Sequence, residues 1–117
     1  GYPTAKLSAD SLGLVPQEGV YAGWLTRLDR SPGEPDRTMP AAISVGTNPT
    51  FETQDRRTVE AYVLDRDDLD LYDERVMVEF TAHIRPTLRF DSVDELTEAM
   101  ASDVARCREL LARIVPD

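Results

Sequence analysis

No helical period separates one apolar run from the next until Ser92, and that absence constrains this chain more than any other feature. The runs before Ser92 are rich in Val, Ile, Thr, Tyr and Trp, the side chains that suit a pleated, half-buried surface. With no helix to carry crossovers, consecutive strands are expected to pair antiparallel. Gly19 to Asp29 is the first clear strand. Val20, Ala22, Trp24, Thr26 and Leu28 share one face, and Tyr21, Gly23, Leu25 and Arg27 the other. Gly23 marks a bend or a close backbone approach. Arg30 to Arg37 is a turn cluster with two prolines and reads as a mobile connection. Thr38 to Val45 follows as the partner in a long-looped hairpin, and Gly46-Thr47-Asn48-Pro49 is expected to end it.

Thr58 to Leu64 is the next strand, and Arg75 to Ile84 the last. In the last, strict alternation puts Val76, Val78, Phe80, Ala82 and Ile84 on one core-facing side. Between them, Asp65 to Glu74 reads as a solvated acidic loop. Gly1 to Lys6 reads as a turn or loop, and Leu7 to Gln17 as irregular connection. Four or five strands are then followed by one helix. Ser92 and Glu95 have the spacing of a capping box. Behind them Leu96, Met100, Val104, Cys107, Leu111 and Ile114 form a single apolar stripe, running to about Val115 and stopped by Pro116. That stripe is the face expected to dock on the sheet. A small sheet with exposed edges tends to close on itself, so the fold class is mainly β, a small antiparallel barrel with one C-terminal amphipathic helix.

Size and charge narrow the function classes. A chain of 117 residues is expected to form one domain, with residues 1–90 as barrel and 91–117 as the helical part. Its net charge of −9 argues against a nucleic-acid partner, which needs a basic face. No apolar run approaches a membrane span, so no membrane partner is expected. The single cysteine, Cys107, excludes an internal disulfide and fits a reducing compartment such as the cytoplasm. The lone His83 has no metal-ligand spacing around it.

One carboxylate stands out. Glu60 lies between Val59 and Ala61 and shares a strand face with Tyr62 and Leu64. It reads either as a solvated outer residue or as a placed acid/base group.

Five motifs occur in order: GYPTA at the start, VGTNPTF, TVEAYVLD, DLY and IRPTLRFDSVDEL. Together they resemble riboflavin kinase, and more closely the C-terminal kinase module of the bacterial bifunctional FAD synthetases. The resemblance implies a small Greek-key β-barrel with a C-terminal helix. It implies transfer of the γ-phosphoryl of ATP to the 5′-hydroxyl of riboflavin, giving FMN and ADP with Mg2+. It also implies a covalently linked N-terminal FMN adenylyltransferase domain. Carried over residue by residue, it makes Glu60 the general base. It gives Thr4 to magnesium and the nucleotide, and places Tyr2, Pro3, Asn48, Val63, Asp65 and Tyr72 on the nucleotide side. Arg85 and Phe90 fall on the flavin side. Three departures accompany the match. The family's magnesium-ligating asparagine is Lys6 here, and an ammonium offers the metal no oxygen. The glycine after Asp-Leu-Tyr is Asp73. The strand and Gly/Arg-rich loop that precede the first motif in the family are not among these residues. Lys6 and that difference motivate a second reading, a flavin- or nucleotide-binding module without catalysis. A third is a barrel that serves only as an interaction domain.

Overall fold

The computed structural model describes residues 5–7, 15–48, 56–66, 68, 69, 71 and 74–113; the side chains of Lys6, Thr47, Asn48, Arg56 and Arg57 lie outside that description. Five strands form one antiparallel sheet: β1 (Ala5–Leu7), β2 (Gly19–Arg27), β3 (Thr38–Asn48), β4 (Arg56–Val63) and β5 (Val76–Arg85). One helix, α1 (Val93–Leu111), follows.

The spatial order is β1-β4-β3-β2-β5. Pairing between β2, β3 and β4 is sequential, as expected. The last strand departs from that expectation: β5 pairs with β2, not with β4. The acidic stretch from Asp65 to Glu74 is long enough to carry the chain past β3, so no short hairpin forces the sequential partner. Part of the opening segment, expected as loop, is strand, because β1 takes its register from β4 (Ala5 opposite Ala61, Leu7 opposite Val59). Three residues are too few to show a pattern of their own. The Gly-Thr-Asn segment likewise stays in β3 as far as Asn48, with Gly46 opposite Thr58. A glycine permits a turn but does not impose one.

Nine consecutive partly to fully buried residues make β2 the centre of the molecule. Its face bearing Tyr21 and Leu25 joins Met39, Ala41, Ile43 and Val45 of β3 and Val59, Ala61 and Val63 of β4 in an inner core. Leu7 of β1 and Val76, Val78 and Phe80 of β5 pack against that same cluster, although these strands are the opposite edges of the sheet. Two edges of a flat sheet cannot share one core, so the sheet is curled toward a barrel.

The alternation expected through β5 breaks at two bulges. Register shifts fall opposite the Ala22–Gly23 and Val20–Tyr21 steps of β2, where β5 carries an extra residue, Thr81 and Ile84 respectively. Val76, Val78 and Phe80 therefore face the inner core, whereas Ala82 and Ile84 pack on the outer cluster under the helix. An extra residue in one strand reverses which face the following side chains occupy. Gly23 sits at the first shift, where an added Cβ would collide with the carbonyl oxygen of Glu79 and come within 2.7 Å of Ile43 Cδ1.

Alpha helix α1 covers the outer face. Tyr62, Ala42, Ala22 and Ala82 lie opposite one another across four strands, and three alanines in that row let the helix approach closely. Val104, Cys107 and Leu111 seat on Ala22 and Leu64 there. Ser92 accepts a hydrogen bond from the Glu95 backbone N–H at 3.1 Å, and Glu95 Oε2 accepts one from the Asp91 N–H at 3.0 Å. The apolar stripe divides in two: Cys107 is fully buried, whereas Leu96, nearer the N-terminus, is 41% exposed. Only the C-terminal half of the stripe is seated on the sheet.

Candidate functional site

Where the N-terminal half of α1 leaves the sheet, a cleft of about 370 Å³ opens between the helix and the outer sheet face. Its floor is Val20, Ala42, Ser44, Glu60 and Tyr62. Its far wall is Leu96, Met100 and Asp103 of α1, and its third side is Arg85 with Thr87, Leu88 and Phe90 of the connection that follows β5.

Register builds the floor. Glu60 lies opposite Ser44, Ser44 opposite Val20, and Val20 opposite Arg85. On the other side, Lys6 occupies the position opposite Glu60. One cross-strand row thus carries the carboxylate and the arginine, with two intervening strands between them. The inner-facing neighbours of Glu60, Val59 and Ala61, are almost fully buried, which pins β4 and leaves Glu60 no other face to occupy.

Arg85 is bonded on three sides. Its Nε and Nη2 each donate to the Asp103 carboxylate at 2.8 Å, and its Nη1 donates to the Pro86 carbonyl at 3.1 Å. The guanidinium carbon also stands 5.6 Å from the centre of the Phe90 ring, within range of a cation–π contact. The pair is well shielded, with side chains 20% and 9% exposed for Arg85 and Asp103.

Of the residues singled out in the sequence, Glu60, Arg85 and Phe90 come together in this cleft. Val63 does not: its side chain belongs to the inner core. Asp65 is also elsewhere. It adopts a left-handed φ of 61°, and its carboxylate accepts two hydrogen bonds from Arg108, one of them at 3.1 Å from Nε. That guanidinium holds the Asp65 carboxyl below the usual carboxylate range. Asn48 is placed by its backbone at the end of β3, opposite Arg56. Tyr2, Pro3, Thr4 and Tyr72 lie outside the described residues.

The acidic stretch is more than a solvated loop. Arg66 pairs with Asp36 and Asp68, Glu74 takes a two-point hydrogen bond from Arg27, and Leu69 and Leu71 pack on the inner core. The Arg30–Arg37 turn is closed by Arg27 N–H to Arg37 O at 2.7 Å and by Arg37 Nε to Arg30 O at 2.8 Å.

Asp103, Tyr62 and Ser44 were missed from sequence. Asp103 had a signal, an acid one position before the stripe residue Val104, but many exposed helix residues look the same. Among the described residues no group of three or more His, Cys, Asp or Glu is placed to hold a metal. Lys6 at one expected ligand position supplies no oxygen, and Thr4, the other expected ligand, lies outside the described residues. No helix among the described residues is long and apolar enough to cross a membrane.

The sequence profile of the family described as Flavokinase, riboflavin kinase, matches residues 1–111. The chain belongs to the riboflavin kinase family. Its similarity extends to a bifunctional riboflavin kinase/FMN adenylyltransferase of Listeria monocytogenes, 30% identical over 114 residues that cover 97% of this chain and 34% of that one. The bifunctional protein of Escherichia coli K12 is 32% identical over 116 residues, covering 99% of this chain and 34% of the relative. A riboflavin kinase of Kluyveromyces lactis is 25% identical over 137 residues, covering 95% of this chain and 74% of its own length. The chain therefore spans about a third of the bifunctional relatives and most of the yeast one. A solved structure described as a macrolide-efflux protein from Streptococcus pneumoniae superposes with a TM-score of 0.73 at 30% identity, over 98% of this chain and 33% of that one. Members of the riboflavin kinase family with a second activity named beside the kinase are thus prominent among the relatives of this chain.

Proposed function

We propose that this chain is the riboflavin kinase module of a larger bifunctional protein, and that it transfers the γ-phosphoryl of ATP to the 5′-hydroxyl of riboflavin. The observation that carries this reading is the cleft itself. It joins the Glu60 carboxylate to an apolar slot whose walls include Phe90, Leu96 and Met100, the lining's other carboxylate, Asp103, being engaged by Arg85. A planar, largely apolar ring system with a polar tail suits such a slot: the ring buries apolar surface and the tail reaches the polar floor.

In the proposed reaction the Glu60 carboxylate accepts the proton of the terminal ribityl hydroxyl. The alkoxide oxygen attacks the γ-phosphorus, the bond from that phosphorus to the β,γ-bridging oxygen breaks, and ADP leaves. Positioning and charge stabilisation supply most of the acceleration in phosphoryl transfer. The nucleotide would enter from the β1 side of Glu60. Ala5 pairs with Ala61, next to Glu60, and Tyr2, Pro3 and Thr4 immediately precede Ala5 in the chain. Asn48 and Tyr72 complete the proposed nucleotide side. Val63 and Asp65, at the end of β4, are assigned to the same nucleotide side, away from the riboflavin slot.

Magnesium would arrive with the nucleotide, with the Thr4 hydroxyl as its proposed protein ligand, while Lys6 adds charge but no ligand oxygen. A covalently linked adenylyltransferase domain and a cytoplasmic location belong to the same proposal.

The test is product formation. The full-length protein that carries this chain, given riboflavin and ATP with magnesium, is expected to yield FMN and ADP in equal amounts by chromatography. Riboflavin binding without FMN would favour the non-catalytic module that Lys6 suggests. Binding of neither ligand would reject both.

A further inference from the structure

We infer that Asp103 is a positioning residue for the riboflavin side of the cleft, acting through Arg85 rather than on the substrate. The inference rests on the kinase reading and deepens it.

Helix α1 is divided into two unlike halves. Its C-terminal half is fixed by buried Val104, Cys107 and Leu111. Its N-terminal half overhangs the cleft, with Val93 and Leu96 among the exposed large hydrophobic residues. Something must set how far this half stands from the sheet, because that distance is the height of the slot. Asp103 lies at the junction of the two halves and faces the cleft. Its carboxylate grips Arg85 by two parallel bonds of 2.8 Å, a geometry that fixes both distance and orientation.

Arg85 in turn organises the other side. Its third bond, to the Pro86 carbonyl, ties down the connection that carries Phe90, and its guanidinium carbon stands over the Phe90 ring. One guanidinium therefore links the end of β5 and the connection, which form one side of the slot, to the helix, which forms another. With its Nε and both terminal nitrogens engaged within the protein, Arg85 serves first as a brace. Removing the carboxylate would release Arg85, let Phe90 tilt and leave the helix overhang without this tie. Glu60 and the nucleotide side would be left in place, because β4 is held by its own pairing and by the inner core.

The test uses the full-length protein and D103N, D103E and R108Q. Riboflavin Kd is read by calorimetry without ATP, and KM for each substrate and kcat from FMN formation. For D103N, riboflavin Kd and KM are expected to rise by about tenfold, while ATP KM stays within about twofold; that split marks lost ground-state binding of one substrate. D103E, which keeps the charge but moves it by one methylene, is expected to fall between wild type and D103N. R108Q breaks the other helix tie, to Asp65, and is expected to leave riboflavin Kd within about twofold. Should D103N fail to fold by near-UV circular dichroism, D103E carries the test: a raised riboflavin Kd with unchanged ATP KM supports the inference, and a wild-type Kd overturns it. An unchanged riboflavin Kd in folded D103N, or equal rises for both substrates, also overturns it. A wild-type protein that binds riboflavin without making FMN defeats the kinase reading but leaves the comparison of Kd values decisive. One that binds no riboflavin defeats both.

Discussion

Glu60 owes its place to register. Its two neighbours, Val59 and Ala61, are inner-core residues, and a slip of one residue would exchange them with the carboxylate. This much was legible in the sequence, because the alternation of Val59, Glu60, Ala61, Tyr62 and Val63 is unambiguous. What periodicity could not show was what stands above the outer face. Two other single residues give direct predictions. The Cys107 thiol is buried against the sheet, and burial, followed by the nearby Asp103 carboxylate, pushes its pKa up to about 11. Reaction with a thiol reagent at pH 8 is expected to be slow in the native protein and complete in urea; rapid native labelling would contradict the packing around it. Gly23→Ala would place a Cβ against the Glu79 carbonyl at the first bulge. A loss of about 1–3 kcal/mol by denaturant unfolding is expected, as for other overpacked positions. An unchanged midpoint would mean that β5 does not approach β2 as described.

At the scale of elements, the helix was the most readable part and the edges the least. The capping box and the stripe announce α1; the structure keeps the cap and the stripe as far as Leu111, where the helix ends short of the expected Val115, and Ile114 lies outside the described residues. Ser92→Ala is expected to cost about 1 kcal/mol of stability, read from denaturant midpoints, because the Glu95 N–H loses its acceptor. A neutral result would show that the first turn of α1 does not depend on its cap. The stripe did not reveal that its first turns hang over a cleft, since an apolar residue lining a ligand slot and one packed on a sheet look alike in sequence. Strand pairing was legible only where hairpins are local. The meeting of β5 with β2, and of β1 with β4, depends on non-local packing, and neither a three-residue strand nor a bulge leaves a periodic trace.

Over the whole molecule, the acidic balance has a structural use besides solubility. Asp36 and Asp68 share Arg66, Glu74 takes Arg27, and Asp65 takes Arg108, so turns and loops distant in sequence are tied by charge. In each case the arginine hydrogen bond is the leading cause of a lowered carboxyl pKa. Asp68 falls from 3.8 to about 2. A carboxyl with a lowered folded pKa stabilises the fold above its unfolded pKa, and that contribution is lost as pH falls through the folded value. Denaturant midpoints are therefore expected to drop on acidification from about pH 5 toward pH 2, and to drop less in Arg66→Gln, which has already lost two of the ties. Identical acid profiles for the two proteins would remove these pairs from the account. The ties also show why the acidic stretch read as a plain solvated loop: its partners, Arg27 and Asp36, are far away in the sequence.

In the proposed reaction the carboxylate on β4 removes the proton of a riboflavin hydroxyl held between sheet and helix. That step is tested most directly by measuring FMN formation and riboflavin binding side by side in the wild type and in Glu60→Gln. The kcat of the variant is expected to fall by about two orders of magnitude or more while riboflavin Kd stays within a few-fold, as for loss of a general base that does not anchor the ring. A Glu60→Gln protein that turns over at the wild-type rate, with its riboflavin affinity intact, would contradict it.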